Sequence, residues 1–385
     1  MTTTGTPREA ILLVANYDSD VGYAWWLMES IWAAIARRWA PTHQVIVCYP
    51  SISKIPSAIS TAPVLVSQMG FGRGGASMLE RYIFLRRQAV RVLYLTDRDP
   101  VSWRYLFYRM AGVRAIVIHD HTPGERTPVT GFRRFAKAII NRIPWISADL
   151  LIGATRYVTM RHLAVNAFPA ERCYTAENGI PAASSREASD LHEEFEIPRN
   201  RFIMISVGRA HRVKGISLVL AAMRELVHDR GRSDLHYVHV GDGPDLEHFK
   251  AMTDLYNIGR FVTFAGRRND VAKIARGADL AIHASDAEVG YSLSVLECMQ
   301  AGLPVIVSDA PSVSGATVPG ETGLVFERGN SSSAARSIEF LLDNQACAKS
   351  LGVAAQSAAE KRFNLDQTHA SVLEAIDRCA FSSLR

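Results

Sequence analysis

Short apolar segments recur along the whole chain, and each interval between them leaves room for a helix. In the first half they cover residues 10–15, 44–48, 64–66, 92–95, 115–118, 150–152 and 173–175, and in the second half residues 201–207, 235–240, 261–265, 279–283 and 304–307. Such runs are typical of buried parallel strands. Alternating strands and helices over 385 residues, too long for one ordinary core, predict an α/β fold with two doubly wound Rossmann-like domains.

The stretch at residues 286–309 is the most informative part of the second half. It follows the apolar segment 279–283, and apolar residues then recur on one helical face until Gly302 ends the helix. Pro304 begins the next strand. In a parallel sheet the loop of such a unit lies at the carboxyl edge, where ligands bind.

The start of that helix carries groups suited to a nucleotide sugar. Glu297 lies on its first turns, where a carboxylate can accept hydrogen bonds from sugar hydroxyls. Backbone N–H groups at a helix start can bind a phosphate, and here they belong to Gly290, Tyr291, Ser292 and Leu293. The ordinary alternatives are an exposed helix glutamate for Glu297 and a solvated loop acid for Glu288.

This stretch resembles the retaining GT-B glycosyltransferases of the family 4 type, which include sucrose synthase, mannosyltransferases and envelope-polysaccharide enzymes. Their signature is two glutamates separated by seven residues, followed by Ala-Met, a glycine and Pro-Val. Counting back from Glu297 puts the first glutamate at Val289, and Glu288 stands one residue earlier. The resemblance implies that Glu297 binds the ribose of the donor and that Glu288 contacts the transferred sugar.

Two cations follow the strand at residues 201–207, after a break at Gly208. The resemblance implies that they, Arg209 and Lys214, grip the diphosphate of the donor. Breaking the sugar–phosphate bond places negative charge on the leaving diphosphate, which two fixed cations stabilise where other enzymes use a metal. The alternative is a pair of ordinary surface cations.

Gly241 and Gly243 follow the next strand and permit a tight turn and close approach of the backbone to a ligand. A similar pair opens dinucleotide-binding folds. The third glycine of that fingerprint is missing, since Leu246 stands in its place, and a nicotinamide-binding oxidoreductase is therefore a poor interpretation.

The resemblance implies two Rossmann-like domains that face a cleft. Residues 1–185 would bind the acceptor and residues 186–365 the nucleotide sugar. Residues 366–385 would form a C-terminal helix that packs back on the first domain. The boundary falls in a polar segment rich in Ser and Glu, which follows the sequence Asn-Gly-Ile-Pro at residues 178–181.

The first domain also carries candidate site residues. His119 and His121 follow the strand at residues 115–118, and the family places a histidine near this point, beside the donor hexose. His121 is the better match, and His119 is the second choice for substrate binding. The alternative is that both pair with Asp120 or with backbone carbonyls. Gly22, in the loop after the first strand, is the candidate for acceptor binding in that loop, where the family usually has two glycines.

The first domain is basic and the second acidic, within a net charge of +5, which suggests an anionic partner for the first. Phe132, Phe135 and Ile139 recur at helical spacing beside Arg133 and Lys137. Such a helix either lies on an anionic membrane or faces the core with a solvated basic side. Because no recognised motif accompanies the charge, nucleic acid is not an expected partner.

Composition supports a cytoplasmic protein, with peripheral attachment to the inner face of the membrane as an option, because no signal peptide or long apolar run appears. The five cysteines are scattered, which argues against disulfides and against a zinc site. Two Asp-x-Asp triplets, at residues 18–20 and 97–99, suggest a metal site of the kind found in GT-A enzymes, but acids at helix starts explain them equally well. We expect no cofactor and no metal.

The sequence therefore predicts a hexosyltransferase that moves a hexose from a UDP- or GDP-sugar to a hydroxyl. The resemblance implies retention at the anomeric carbon, and a lipid-linked or polysaccharide acceptor in cell-envelope synthesis. Two alternatives stay open: a catalytically silent protein that binds nucleotide sugars, and an epimerase or hydrolase on the same scaffold.

Overall fold

The computed structural model describes residues 8–22, 25–72, 74–122, 124–183, 185–286, 288 and 290–380. These residues form two compact units. The first comprises the chain up to Asn178 together with the residues from Asp366 onward, and the second comprises Gly179–Leu365.

The first unit contains a parallel sheet of seven strands in the order β3-β2-β1-β4-β5-β6-β7. The strands are β1 (Ala10–Val14), β2 (Gln44–Tyr49), β3 (Leu65–Gln68), β4 (Val90–Thr96), β5 (Ala115–Asp120), β6 (Leu150–Gly153) and β7 (Cys173–Thr175). Every residue of β1 is buried, as expected for a central strand that is covered on both faces. The strand order reverses between β1 and β4, which is the position where doubly wound sheets bind ligands.

The second unit contains a parallel sheet of six strands in the order β10-β9-β8-β11-β12-β13. The strands are β8 (Phe202–Val207), β9 (Leu235–Val240), β10 (Val262–Gly266), β11 (Leu280–His283), β12 (Val305–Ser308) and β13 (Gly323–Phe326). Successive side chains of β8 enter different core layers, with Ile203 and Ile205 in one and Met204 in the other. The order reverses between β8 and β11, so the loops that follow these two strands lie side by side.

Helices connect the strands in both units. They are α1 (Trp26–Trp39), α2 (Ser57–Ser60), α3 (Met78–Arg87), α4 (Arg104–Met110), α5 (Gly131–Ile140), α6 (Arg156–Arg161), α7 (Leu191–Glu194), α8 (Ile216–Arg224), α9 (Leu246–Leu255), α10 (Val271–Gly277), α11 (Leu293–Gln300), α12 (Pro311–Ser314), α13 (Ser331–Asp343), α14 (Gln345–Arg362) and α15 (Leu365–Ala380). Helix α15 contacts the first unit, where His369 Nε2 lies 3.0 Å from Ser30 Oγ and Thr368 Oγ1 donates to the Glu177 carbonyl at 2.8 Å.

The predicted α/β class, with two doubly wound sheets, is confirmed. Strand β13 was not predicted, and β5 extends two residues beyond its predicted end, so His119 and Asp120 belong to the strand and not to the loop after it. Helix α5 has no buried residue, and Phe132 is 83% exposed. The interpretation of this helix as core-facing is therefore wrong.

Candidate functional site

The loop between β8 and α8 is pressed against the loop that follows β11. Residues Arg212–Lys214 form a short 3-10 turn, and Gly215 follows with a φ of 70°. A Cβ atom at Gly215 would lie only 2.0 Å from the carbonyl oxygen of Ala284, so no side chain fits there. Ser285 Oγ also donates to the Val213 carbonyl at 3.0 Å. This close approach fixes Lys214 at the switch point of the second sheet.

Lys214 lies in a buried charged network at this point. Its Nζ donates to Glu288 Oε1 at 2.6 Å and to Oε2 at 2.8 Å. His283 Nε2, at the end of β11, lies 2.7 Å from the same Oε1. Burial raises the pKa of the Glu288 carboxyl, but His283 and Lys214 outweigh this effect and lower the pKa to about 2. Glu288 is therefore ionised at neutral pH, and it is not a solvated loop acid.

Four residues precede or begin α11. Gly290 has a φ of 72°, which a side chain would disfavour. Ser292 is the N-cap but makes no side-chain capping bond. The side chain of Tyr291 is buried and its hydroxyl accepts from Arg362 at 3.2 Å, so only its backbone could reach a ligand. Leu293 begins the helix, and the side chain of Ser292 does not cap its first-turn N–H groups at the carboxyl edge of the sheet.

Glu297 lies on the second turn of α11. Burial raises the pKa of its carboxyl from 4.5 to about 7. No described side chain forms a hydrogen bond or an ion pair with this carboxylate. A partly buried carboxylate with unfilled acceptor sites is suited to a pair of ligand hydroxyls. Glu297 is thus not an ordinary exposed helix glutamate.

The glycines after β8 and β9 serve contacts within the chain. A Cβ at Gly241 would lie 1.8 Å from the Gly208 carbonyl oxygen, and one at Gly243 would lie 2.4 Å from that of Ala210. Their predicted role was close approach to a ligand, whereas the structure accounts for both through close approach of two loops. Arg209, in the first of these loops, is exposed.

The candidate residues of the first unit lie at its carboxyl edge. His119 is fully buried within β5, its Nδ1 lies 2.5 Å from the Tyr94 hydroxyl, and burial lowers its pKa well below the ordinary value. His121 is 4% exposed, and neither of its ring nitrogens has a hydrogen-bond partner among the described residues. Gly22 lies in the exposed loop after β1 with a φ of 69°.

Asp97 holds His121 in position, a contact that the sequence did not indicate. Its Oδ1 accepts from the backbone N–H of His121 at 2.7 Å, and its Oδ2 accepts from Asn16 Nδ2 at 3.1 Å. Asp97 has a φ of 52°, which is uncommon for a residue with a side chain. This aspartate, from one of the two Asp-x-Asp triplets, lies in the loop after β4 and therefore links the loops after β1 and β5.

Within the described ranges, no three His, Cys, Asp or Glu side chains are grouped as a metal ion would require. Among the same residues, no helix combines the length and hydropathy needed to span a membrane. Val289, the position of the first glutamate in the family signature, lies outside the described residues.

Known proteins share this fold and part of this sequence. The Anabaena protein Alr3699/HepE, solved in complex with UDP and glucose, superimposes with a TM-score of 0.73 at 16% identity, over 96% of this chain and 99% of that one. The chain therefore has the GT-B fold. Residues 187–358 match the family described as "Glycosyl transferases group 1". This segment is therefore similar to the group 1 glycosyltransferases, in agreement with the resemblance of the sequence to the GT-B family 4 type.

Two curated relatives align with part of this chain. N-acetyl-alpha-D-glucosaminyl L-malate synthase from Bacillus anthracis is 25% identical over 182 residues, 47% of each chain. UDP-Gal:alpha-D-GlcNAc-diphosphoundecaprenol alpha-1,3-galactosyltransferase from Escherichia coli is 32% identical over 123 residues, 31% of each chain. The chain thus spans about half the length, or less, of these relatives.

Proposed function

We propose that this chain transfers a hexose from a nucleotide diphosphate sugar to a hydroxyl group, with retention at the anomeric carbon. The observation that carries the proposal is the position of Lys214. It lies at the switch point of the second sheet, with 25% of its side chain exposed, in the same unit as the helix start of α11. A fixed cation and a helix start without a side-chain cap are a suitable pair for a diphosphate.

The groups of the second unit that would bind the donor have separate roles in this proposal. Lys214 and Arg209 bind the diphosphate and stabilise the charge that develops on it as the sugar departs. The backbone N–H groups at residues 290–293 bind the distal phosphate, one oxygen of which takes the proton of the acceptor. Glu297 accepts hydrogen bonds from the ribose hydroxyls. In the first unit, His121 binds the transferred sugar through its ring nitrogens, which form no hydrogen bond with any described residue.

A UDP-sugar is our first choice of donor, because the Anabaena protein was solved with UDP and glucose. A GDP-sugar is the second. For the acceptor we favour a lipid-linked or polysaccharide hydroxyl in envelope synthesis, since the Escherichia coli relative is named for a diphosphoundecaprenol substrate. We further propose that the reaction needs no metal ion, because the two cations supply the charge that a metal would otherwise provide.

Helix α5 supports a membrane-bound acceptor, because it packs with its polar side inward. Lys137 Nζ donates to the Val165 carbonyl at 2.7 Å, and Asn141 Nδ2 donates to that of Asn166 at 2.7 Å. These bonds hold the polar side of the helix against the turn at residues 162–166 and direct the apolar side outward. Phe132 is 83% exposed and Phe135 is 62% exposed.

We therefore propose that this outward face, which we call the α5 face, rests on an anionic membrane at the inner face of the cell membrane. Exposed apolar side chains of this size enter the interfacial layer of a bilayer, and neighbouring cations attract anionic lipid headgroups. Arg133 and Arg142 flank the apolar residues, which continue beyond the helix to Trp145. The α5 face consists of Phe132, Phe135, Ile139, Ile140, Ile143 and Trp145.

The test is to measure release of nucleoside diphosphate from UDP- and GDP-sugars, with and without an extract of membrane lipids as the source of acceptor. Transfer predicts release that depends on the extract, and a product whose anomeric configuration, read by NMR, matches that of the donor. Release that does not need the extract would favour the hydrolase alternative. Binding without release under any condition would favour the silent binding protein.

A further inference from the structure

Glu288 is held from three directions, and together these contacts leave it little capacity to bind a sugar. Lys214 Nζ contacts both carboxylate oxygens, and His283 Nε2 contacts Oε1. The backbone N–H of Glu288 donates to Ser312 Oγ at 3.1 Å, which ties the residue to α12. A carboxylate has about four acceptor sites, and three are already used. Its side chain is 7% exposed.

Lys214 has the opposite character. An ammonium group has three donors, and two of them are directed at Glu288. Its side chain is 25% exposed, and its third donor has no hydrogen-bond partner among the described residues. A phosphate oxygen can therefore approach Lys214 while Glu288 stays in place.

We propose, on the basis of the function proposed above, that Glu288 is a positioning residue that acts through Lys214 and does not contact the transferred sugar. It holds the ammonium group at the switch point and offsets its charge. The diphosphate thus meets a cation whose attraction is weakened by a fixed anion, and the nucleoside diphosphate product leaves more readily. Glu288, which stands one residue before the position of the first glutamate in the signature, is thereby assigned a role in product release.

The test is to measure the dissociation constants of UDP and GDP, and of the matching nucleotide sugar, for the native protein and for Glu288→Gln. Glutamine keeps the shape of the side chain and can still accept a bond from Lys214, but it removes the negative charge. We expect affinity for the nucleoside diphosphate to rise about tenfold, equivalent to about 1.4 kcal/mol. Affinity for the nucleotide sugar should rise by the same factor.

The matched control is Glu339→Gln. This variant removes the same charge from an ion pair with Arg230 in the second unit, far along the chain from these loops. Its effect on affinity should be less than twofold, which separates a local effect of Glu288 from a change in net charge. A sugar contact would give a different pattern, in which Glu288→Gln weakens binding of the nucleotide sugar and leaves binding of the nucleoside diphosphate unchanged. That pattern would overturn the proposal.

A second comparison covers the case in which Glu288→Gln does not fold. Lys214→Met leaves a buried anion without its partner, whereas the double variant with Glu288→Gln removes both charges, which folded proteins tolerate better. Because Glu288 acts through Lys214, we expect Lys214→Met and the double variant to bind the nucleoside diphosphate with equal affinity. A double variant that binds more tightly would show that Glu288 acts on the diphosphate directly and would overturn the inference. If the native protein and all variants bind neither UDP nor GDP, the proposed function and this inference both fail. If the native protein binds but Glu288→Gln binds no more tightly, the inference alone fails.

Discussion

Replacing Glu297 with glutamine tests whether the structure places a carboxylate where it is costly to ionise. Burial raises the pKa of this group from 4.5 to about 7. The folded protein therefore holds this proton more tightly than the unfolded chain does. A carboxyl of this kind contributes stability that is present at acid pH and is lost as the pH rises through 7, because ionisation favours the unfolded chain.

The size of the effect follows from the two pKa values. Between pH 5 and pH 8 the free energy of unfolding should fall by about 2.5 kcal/mol through this one group. Glutamine at position 297 does not titrate and removes that part of the pH dependence. The difference in free energy of unfolding between Glu297→Gln and the native protein should therefore be about 2.5 kcal/mol more favourable to the variant at pH 8 than at pH 5.

The assay is urea unfolding at pH 5 and pH 8, followed by circular dichroism. Tryptophan fluorescence would be unsuitable, because every tryptophan lies at or before Trp145 and reports on the first unit only. The control is Glu247→Gln on α9, whose side chain is 83% exposed, and which should follow the native pH dependence. Equal pH dependence for the native protein and Glu297→Gln would refute the argument that Glu297 is desolvated.

The remaining predictions concern the reaction and the membrane. Arg209→Ala and Lys214→Ala should each lower the turnover number by about two to three orders of magnitude; losses below tenfold in both would contradict their role at the diphosphate. Phe132→Ser combined with Phe135→Ser should abolish sedimentation with vesicles of anionic lipid, while Val353→Ser, which changes an apolar residue that is 62% exposed on α14, should not. If the double variant and Val353→Ser sediment with the vesicles to the same extent, the membrane proposal is wrong. Chelation by EDTA should leave turnover unchanged, and loss of activity that manganese restores would show a metal requirement.

Much of the fold could be predicted from the sequence, because buried parallel strands appear as continuous apolar runs. For strands β7 and β9, the predicted first and last residues are the same as the observed ones. Strand β13 was missed because its short segment begins with Gly323 and has partly exposed residues at its centre. The end of β5 was predicted too early, since the polar residues His119 and Asp120 are buried in the strand through hydrogen bonds that only the folded chain forms.

The candidate site was predictable where chemistry and sequence spacing coincide. Lys214, Glu297 and the start of α11 were all identified from motifs. The pairing of Lys214 with Glu288 was not, because it depends on the contact between Gly215 and Ala284 across two loops that are about seventy residues apart. His283 was likewise assigned only to a strand, and its place beside Glu288 follows from the turn that the chain makes after β11.

The central claim is that the loops after β8 and β11 bind a nucleotide sugar, and a thermal-shift titration with UDP-, GDP- and ADP-sugars and NAD tests it most directly. A ligand at about a hundred times its dissociation constant stabilises the folded protein by about 2.7 kcal/mol. We predict a rise in melting temperature with one of the nucleotide sugars, no rise with NAD, and loss of most of that rise in Lys214→Ala. A rise with NAD alone, or with none of the four, would contradict the claim.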